Sequence, residues 1–463
     1  MSPDPAAPPP LPAAEPQPRS PRLRRWARIL LIVLGCLAAL IGGWVWHIKR
    51  QEARMLAHVE ELRLAWERSR LMPAPEDNAA DLYRQAFDKL VESDKVRDVR
   101  KRAYDGQLDF RSAEIEEILG KNAECLGLVD EALRRPHCQL MMDFSRGVLG
   151  KPDADVGKVL RLGILLDLRA RHSVLAKKPG EALTDVLALF MLAHHASECE
   201  SILGQMGCHA CVEWGFKALE VLLGRHQLSA AELERAFAEV AKIAPAGTSL
   251  VACLRAEKVV MLITTARVAT CQDAMTQLIS KSGERPERRS SSDYVQFAAR
   301  WTGLARREVV NLEGAFDKLI AFAERSSRGE DVEFNEVLAE VMPDRSHHSW
   351  ILGGRVITAI VMPSLASACT GGSSKTSPVQ LDLARIGLAL ELSRLRHGQH
   401  PESLEALCAD MPEKFLAVPQ DPFAKAPLRY ERTAAATRVW SVENDNIRPG
   451  EKPRTDLVIE LPK

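Results

Sequence analysis

Apolar positions follow three different patterns along this chain. Residues 29–48 form one unbroken apolar run, from Ile29-Leu30-Leu31-Ile32-Val33-Leu34-Gly35-Cys36 to Trp46 and Ile48, without Asp, Glu, Lys or Arg. Wound as a helix, that run reaches ~30 Å, the thickness of a bilayer's hydrocarbon core. From residue 51 to about 370, apolar side chains recur instead at helical spacing. Between Val156 and Ala176, Lys158, Arg161, Arg169 and His172 fall on one side, and Val159, Leu160, Gly163, Leu166, Ala170 and Val174 fall opposite. Such a division marks a helix packed on a core. Only Lys178-Pro179-Gly180 separates it from the next helical pattern, a break short enough to predict an antiparallel hairpin. Past residue 379, Leu381, Ala384, Leu388, Leu392 and Leu395 define one helical face that stops at Gly398. A short helix is predicted over residues 400–407, with Pro401 in its first turn. Runs rich in β-branched and aromatic residues at 428–432, 438–442 and 457–461 predict three strands.

These patterns predict a mainly α fold: an N-terminal transmembrane helix, a multi-helix body of stacked hairpins, and a small C-terminal α+β module with a three-stranded antiparallel sheet. The expected divisions are a Pro-rich disordered cytoplasmic tail at 1–24 and the anchor at 25–50. A helical domain at 51–370 follows, then a linker at 371–378 around Gly371-Gly372-Ser373-Ser374, and the module at 379–463. A second apolar stretch, Trp350–Ala368, contains Arg355, Pro363, Ser364 and Ser367, and reads as a buried helix rather than a second span.

Charge around the first run sets its expected orientation. Arg19, Arg22, Arg24, Arg25 and Arg28 precede it, against Lys49, Arg50 and Arg54 after it. That excess predicts a cytoplasmic N-terminus and an exported, periplasmic body. Trp44 and Trp46 occupy the place of a small-residue cleavage site, so an uncleaved anchor is favoured over a signal peptide. A lipoprotein reading of Val33-Leu34-Gly35-Cys36 is weaker, because apolar residues continue past Cys36.

Across the 463 residues, Lys plus Arg and Asp plus Glu balance at 62 each. No overall field attracts nucleic acid, and the bilayer at residues 29–48 and other exported or envelope proteins are the partners this implies. Ten cysteines in a chain of this length are not a disulfide framework.

The densest group of potential metal ligands is His195, Cys199, Cys208 and Cys211, near His194 and His209. Its spacing allows zinc if the glycines at 204 and 207 bend the chain. Every member lies in a helical pattern where cysteine commonly packs as an apolar residue, so helix packing is the preferred reading. A redox pair at Cys208 and Cys211 would need a helix N-terminus to lower a thiol pKa. Asp167 falls in the middle of an apolar face, where a carboxylate needs a partner; a salt bridge or hydrogen bond to a neighbouring helix is preferred to acid–base work. His347-His348 beside Asp344 reads as a solvated loop. The chain has no Gly-x-Ser-x-Gly elbow, phosphate-binding loop, dinucleotide fingerprint or His-Glu-x-x-His. No catalytic residue and no cofactor are indicated.

The C-terminal module resembles the globular part of the type II secretion major pseudopilin over residues 379–450. The matching positions are Leu390, Gly398, Pro401, Leu404, Leu407, Asp421, Pro422, Phe423, Tyr430 and Ser441. The resemblance implies a helix, a short helix, an Asp-Pro-aromatic turn and a small antiparallel sheet. The pseudopilin processing site is missing before the anchor, and Glu443, Asn444, Asp445 and Asn446 lack the glycines of its calcium loop. The chain as a whole resembles an uncharacterised family of bacterial single-pass membrane proteins through Asn78-Ala79-Ala80-Asp81-Leu82-Tyr83 together with this module. That implies fold and location without an activity. The expected function is a membrane-anchored extracytoplasmic binding or scaffolding protein; the rival is an exported hydrolase-like enzyme.

Overall fold

The computed structural model describes residues 21–69, 73–91, 93–139, 153–199, 201–243, 250–270, 304–328, 330, 373–442 and 457–462. It divides into two compact units, residues 1–54 and 55–463. The first helix, α1 (Pro21–Ser69), opens inside the stretch expected as tail, with Pro21 at its start where a missing N–H costs nothing. Within the first unit the apolar side chains from Ile29 to Ile41, with Trp44 and Trp46, are exposed. Among the described residues this is the one helix long and apolar enough to cross a membrane.

The second unit is mainly helical. In chain order come α2 (Ala80–Lys89), α3 (Ser93–Tyr104), α4 (Ala113–Lys121), α5 (Ala123–Ala132), α6 (Asp153–Leu175) and α7 (Pro179–Ser197). They are followed by α8 (Ile202–Arg225), α9 (Ala230–Lys242), α10 (Leu250–Thr270), α11 (Leu304–Ser327), α12 (Ser373–His397) and α13 (Leu404–Asp410). The strands are β1 (Gln420–Asp421), β2 (Ala426–Pro427), β3 (Arg429–Arg432), β4 (Ala436–Trp440) and β5 (Val458–Pro462).

Helices α6, α7 and α8 pack on one another at the centre. Lys177 turns the chain between α6 and α7 at φ 60°, and Pro179 starts α7, as the short break predicts. Both sides of α7 are buried, with Leu183, Val186, Leu189, Phe190, Leu192 and Ala193 inside, which fits a helix apolar all round. The predicted apolar face of α6 is buried at Val159, Leu166, Ala170 and Val174. Its polar side is not left to water, however. Arg169 donates to Asp185 of α7 at 2.7 Å and to both carboxylate oxygens of Asp130 of α5, at 3.0 and 2.7 Å.

The C-terminal sheet is three-stranded and antiparallel as predicted, in the order β3-β4-β5, and β1 and β2 form a separate two-residue antiparallel pairing. Gly398 closes α12 at φ 77°, the left-handed conformation that favours glycine. Helix α12 begins at Ser373, so residues 373–378 of the expected linker are helical, Pro378 included. The reason lies in α12 itself. Leu381, Leu383, Ala384, Ile386, Leu388, Ala389, Leu390 and Leu392 are all buried, more than one face's worth of apolar residues. One side packs on α8 and α9, another on β4 and β5, so the module shares a single core with the helical body. Leu395, the last member of the predicted apolar face, is 40% exposed at the end of the helix. A second, smaller core joins the turns of α1 from Met55 onward to α10 and α11, through Met55, Val59, Leu254, Leu262, Val309, Leu312 and Phe316.

Trp350–Ala368, His347-His348, Gly371-Gly372 and the remnant acidic loop at Glu443–Asn446 lie outside the described residues.

Candidate functional site

Asp167 is fully buried and accepts from three side chains. Arg100 Nε donates to Oδ2 at 2.8 Å, Arg171 Nε to Oδ1 at 3.0 Å, and the Tyr104 hydroxyl lies 3.1 and 3.0 Å from the two oxygens. Two arginines thus share one carboxylate, and the cluster keeps one positive charge in excess. Burial and the Asp167 carboxylate push the Tyr104 phenol above its usual range, so it keeps its proton and donates. Aromatic rings supply the remaining stabilisation. The Arg100 guanidinium lies 4.5 Å from the Tyr104 ring and 4.2 Å from that of Trp214, and Arg171 lies 4.6 Å from Tyr104 and 5.5 Å from Phe110.

Local sequence sets this arrangement up. Val96, Val99 and Ala103 bury one side of α3, which turns Arg97, Arg100, Lys101 and Tyr104 onto a neighbouring stripe at i, i+3, i+4 and i+7. Trp214 of α8 seats against α6 because residue 163 is glycine; a Cβ there would stand 2.8 Å from Trp214 Cζ3 and 3.0 Å from Cys211 Sγ. Above these groups opens a cleft of about 330 Å³, lined by Arg97, Arg100, Lys101, Tyr104, Asp105, Ile164, Glu213, Trp214 and Lys217. Four cations face two anions there, in a chain that is neutral overall. Lys217 is held by Glu213 at 2.7 Å. Asp167 stands out in the sequence, whereas the cleft does not; the cationic stripe of α3 is the one local signal that points to it.

His195, Cys199, Cys208 and Cys211, whose spacing allows zinc, lie elsewhere, in the core. His195 is buried at the end of α7; its Nδ1 meets the Tyr83 hydroxyl at 2.8 Å and its Nε2 the Arg135 carbonyl at 3.0 Å. Both ring nitrogens are therefore engaged. Burial, with the neighbouring His194, lowers its pKa to about 4. Cys199 Sγ donates to the His195 carbonyl at 3.5 Å. Ser201 caps α8 by accepting from Gly204 N at 2.9 Å, and both glycines, 204 and 207, sit inside the uninterrupted helix. Burial pushes the Cys208 thiol up to about 12 and Cys211 higher still, the opposite of what a redox pair requires. Among the described residues no three His, Cys, Asp or Glu side chains are grouped as a metal site, and the eight described cysteines are free thiols.

The motif at residues 78–83 has a structural part to play. Asn78 Oδ1 accepts from Ala80 N at 3.1 Å and Gln139 N at 2.9 Å, and Ala79 N donates to the His137 carbonyl at 2.8 Å. Glu198 fixes the same segment through His137 Nδ1 at 2.9 Å and Cys138 N at 2.6 Å. In the C-terminal module, Asp421 accepts from Ser441 Oγ at 2.8 Å, Phe423 N at 2.9 Å and Val442 N at 2.6 Å. Asp421, Phe423 and Ser441 thus meet in one polar knot. Compared with known proteins, the chain matches no family model, no curated protein and no solved structure.

Proposed function

We propose that this chain is a single-pass membrane protein, anchored in the cell inner membrane through residues 29–48, whose body is exported to the periplasm and serves as a binding or scaffolding surface. The anchor reading is supported by the exposed apolar helix and the arginine excess before it. The observation that carries the binding reading is the state of Asp167. A carboxylate that accepts from two guanidinium groups and a phenol has both oxygens engaged, so it orients Arg100 and is not free to abstract a proton. A side chain fixed by its neighbours with its outer end beside a cleft is how recognition groups are held. Other exported or envelope proteins remain the partners proposed for the rest of the surface.

Topology tests the proposal. The full chain carrying alkaline phosphatase after Lys463 should be active, and the same chain carrying a fluorescent protein that folds only in the cytoplasm should be dark. The reverse pattern would overturn the compartment and the exported reading with it.

A further inference from the structure

We infer that the cleft between α3 and α8 is a binding site for a phosphate dianion, free or as a monoester, seated by Arg97, Arg100 and Lys101. The inference rests on the reading of the cleft as a binding rather than a catalytic surface.

Arg100 is the centre of the site. Its Nε–H is spent on Asp167, and its Cζ lies 4.5 Å from the Tyr104 ring and 4.2 Å from the Trp214 ring, so the guanidinium is held by three neighbours. No hydrogen bond among the described residues takes its two Nη groups, and the side chain keeps 19% of its surface exposed where it lines the cleft. A guanidinium held by its inner edge presents its outer edge as a ready fork for two oxygens. Arg97 and Lys101 lie three residues before and one after on the same stripe, both exposed and lining the same cleft. Arg97 precedes Arg100 by three residues and Lys101 by four, spacings that set Cβ atoms ~5–6 Å apart, close enough for long basic side chains to converge on one tetrahedral anion.

Charge selects the class of ligand. Four cations and two anions line the cleft, an excess of two positive charges that matches a dianion. Below the cleft, Asp167 neutralises only one of two arginines, so the floor contributes no surplus negative charge. A monocarboxylate would engage one fork and leave the remaining cations unpaired. The volume of about 330 Å³ suits a small headgroup or metabolite rather than a polymer. Free phosphate esters and anionic lipid headgroups share this chemistry.

Isothermal titration of the full chain in phosphatidylcholine nanodiscs tests the inference, with inorganic phosphate, glycerol phosphate and acetate as probes. The two phosphates should bind saturably at one site, and acetate at least tenfold more weakly. The double variant Arg97→Ala/Lys101→Ala, which alters only exposed side chains, should weaken phosphate binding tenfold or more with unchanged melting temperature. Arg100→Lys should weaken it similarly, since an ammonium lacks the fork. Nanodiscs doped with phosphatidic acid distinguish the sources: a headgroup in the cleft would block the phosphate titration, and an uninhibited titration would assign the site to soluble phosphates. Absence of phosphate binding, equal affinity for acetate, or an unaffected double variant would overturn the inference and leave the exported binding protein standing. Release of inorganic phosphate from glycerol phosphate would instead overturn the binding reading while leaving the ligand class intact.

Discussion

The Tyr83 hydroxyl and His195 Nδ1 lie 2.8 Å apart in the core, each at most 1% exposed. The bond has a fixed sense. His195 Nε2 faces the Arg135 carbonyl, which only accepts, so the ring proton sits on Nε2 and Nδ1 accepts from the tyrosine. One residue of the Asn78–Tyr83 motif thereby locks the tautomer of the histidine that heads the His/Cys cluster.

Removing the donor tests that bond. Tyr83→Phe leaves Nδ1 buried without a partner and should cost about 1–3 kcal/mol in chemical denaturation. An unchanged midpoint would show that the hydrogen bond adds nothing to stability.

Acid should weaken the body through the same histidine. His195 and His209 both have pKa values lowered from 6.5 to about 4 by burial, with His194 adding to the effect at His195. Since the folded pKa lies below the unfolded one, their contribution is complete above about pH 6.5 and is lost as pH falls through about 4. Melting curves from pH 7 to 4 should therefore slope less in His195→Gln than in the parent chain. Parallel slopes would contradict the assignment.

Among the described residues, Asp167 is the one carboxylate paired with both Arg100 and Arg171. Asp167→Asn keeps the shape but leaves two guanidinium groups facing each other without an anion. A loss of about 3–5 kcal/mol is expected by denaturation. It should be partly relieved at high salt, where added anions screen the pair. A variant as stable as the parent would remove the ion-pair account of the cleft floor.

The C-terminal helix offers a contrast between two leucines. Leu388 is 1% exposed and Leu395 40%. Leu388→Ala should cost about 2–5 kcal/mol, and Leu395→Ala well under 1 kcal/mol. Equal losses would mean that α12 ends deeper in the fold than its exposure shows.

Close approach of α12 to the sheet predicts a further effect. A Cβ at residue 387 would land on Ile459 Cδ1, and Leu223 of α8 lies 3.6 Å away on the same side. Gly387→Ala should cost about 1–3 kcal/mol by overpacking, lower the melting temperature, and increase hydrogen exchange in β5. Added stability would show that the junction holds spare volume.

Much of this protein is legible from residue order alone, because local periodicity reports what each element must bury. The apolar run at 29–48, the hairpin break at Lys178-Pro179-Gly180, the stop at Gly398 and the three C-terminal strands all follow from patterns within ten or twenty residues. Asp167 also stood out, since a carboxylate on an apolar face demands a partner. What the sequence left open was which partner. Arg100 and Tyr104 lie more than sixty residues away on α3, and only the packing of α3 on α6 brings them to it. The same limit governs two further features. Sequence assigned α12 to a separate module from one apolar face, whereas its second buried face joins it to α8 and α9. Spacing made His195, Cys199, Cys208 and Cys211 a conceivable metal set, but the neighbours supplied by α2 and the Arg135 carbonyl decide that the imidazole nitrogens hydrogen-bond instead. Burial periodicity is written into a segment, while the identity of the group across an interface is a property of the packed whole.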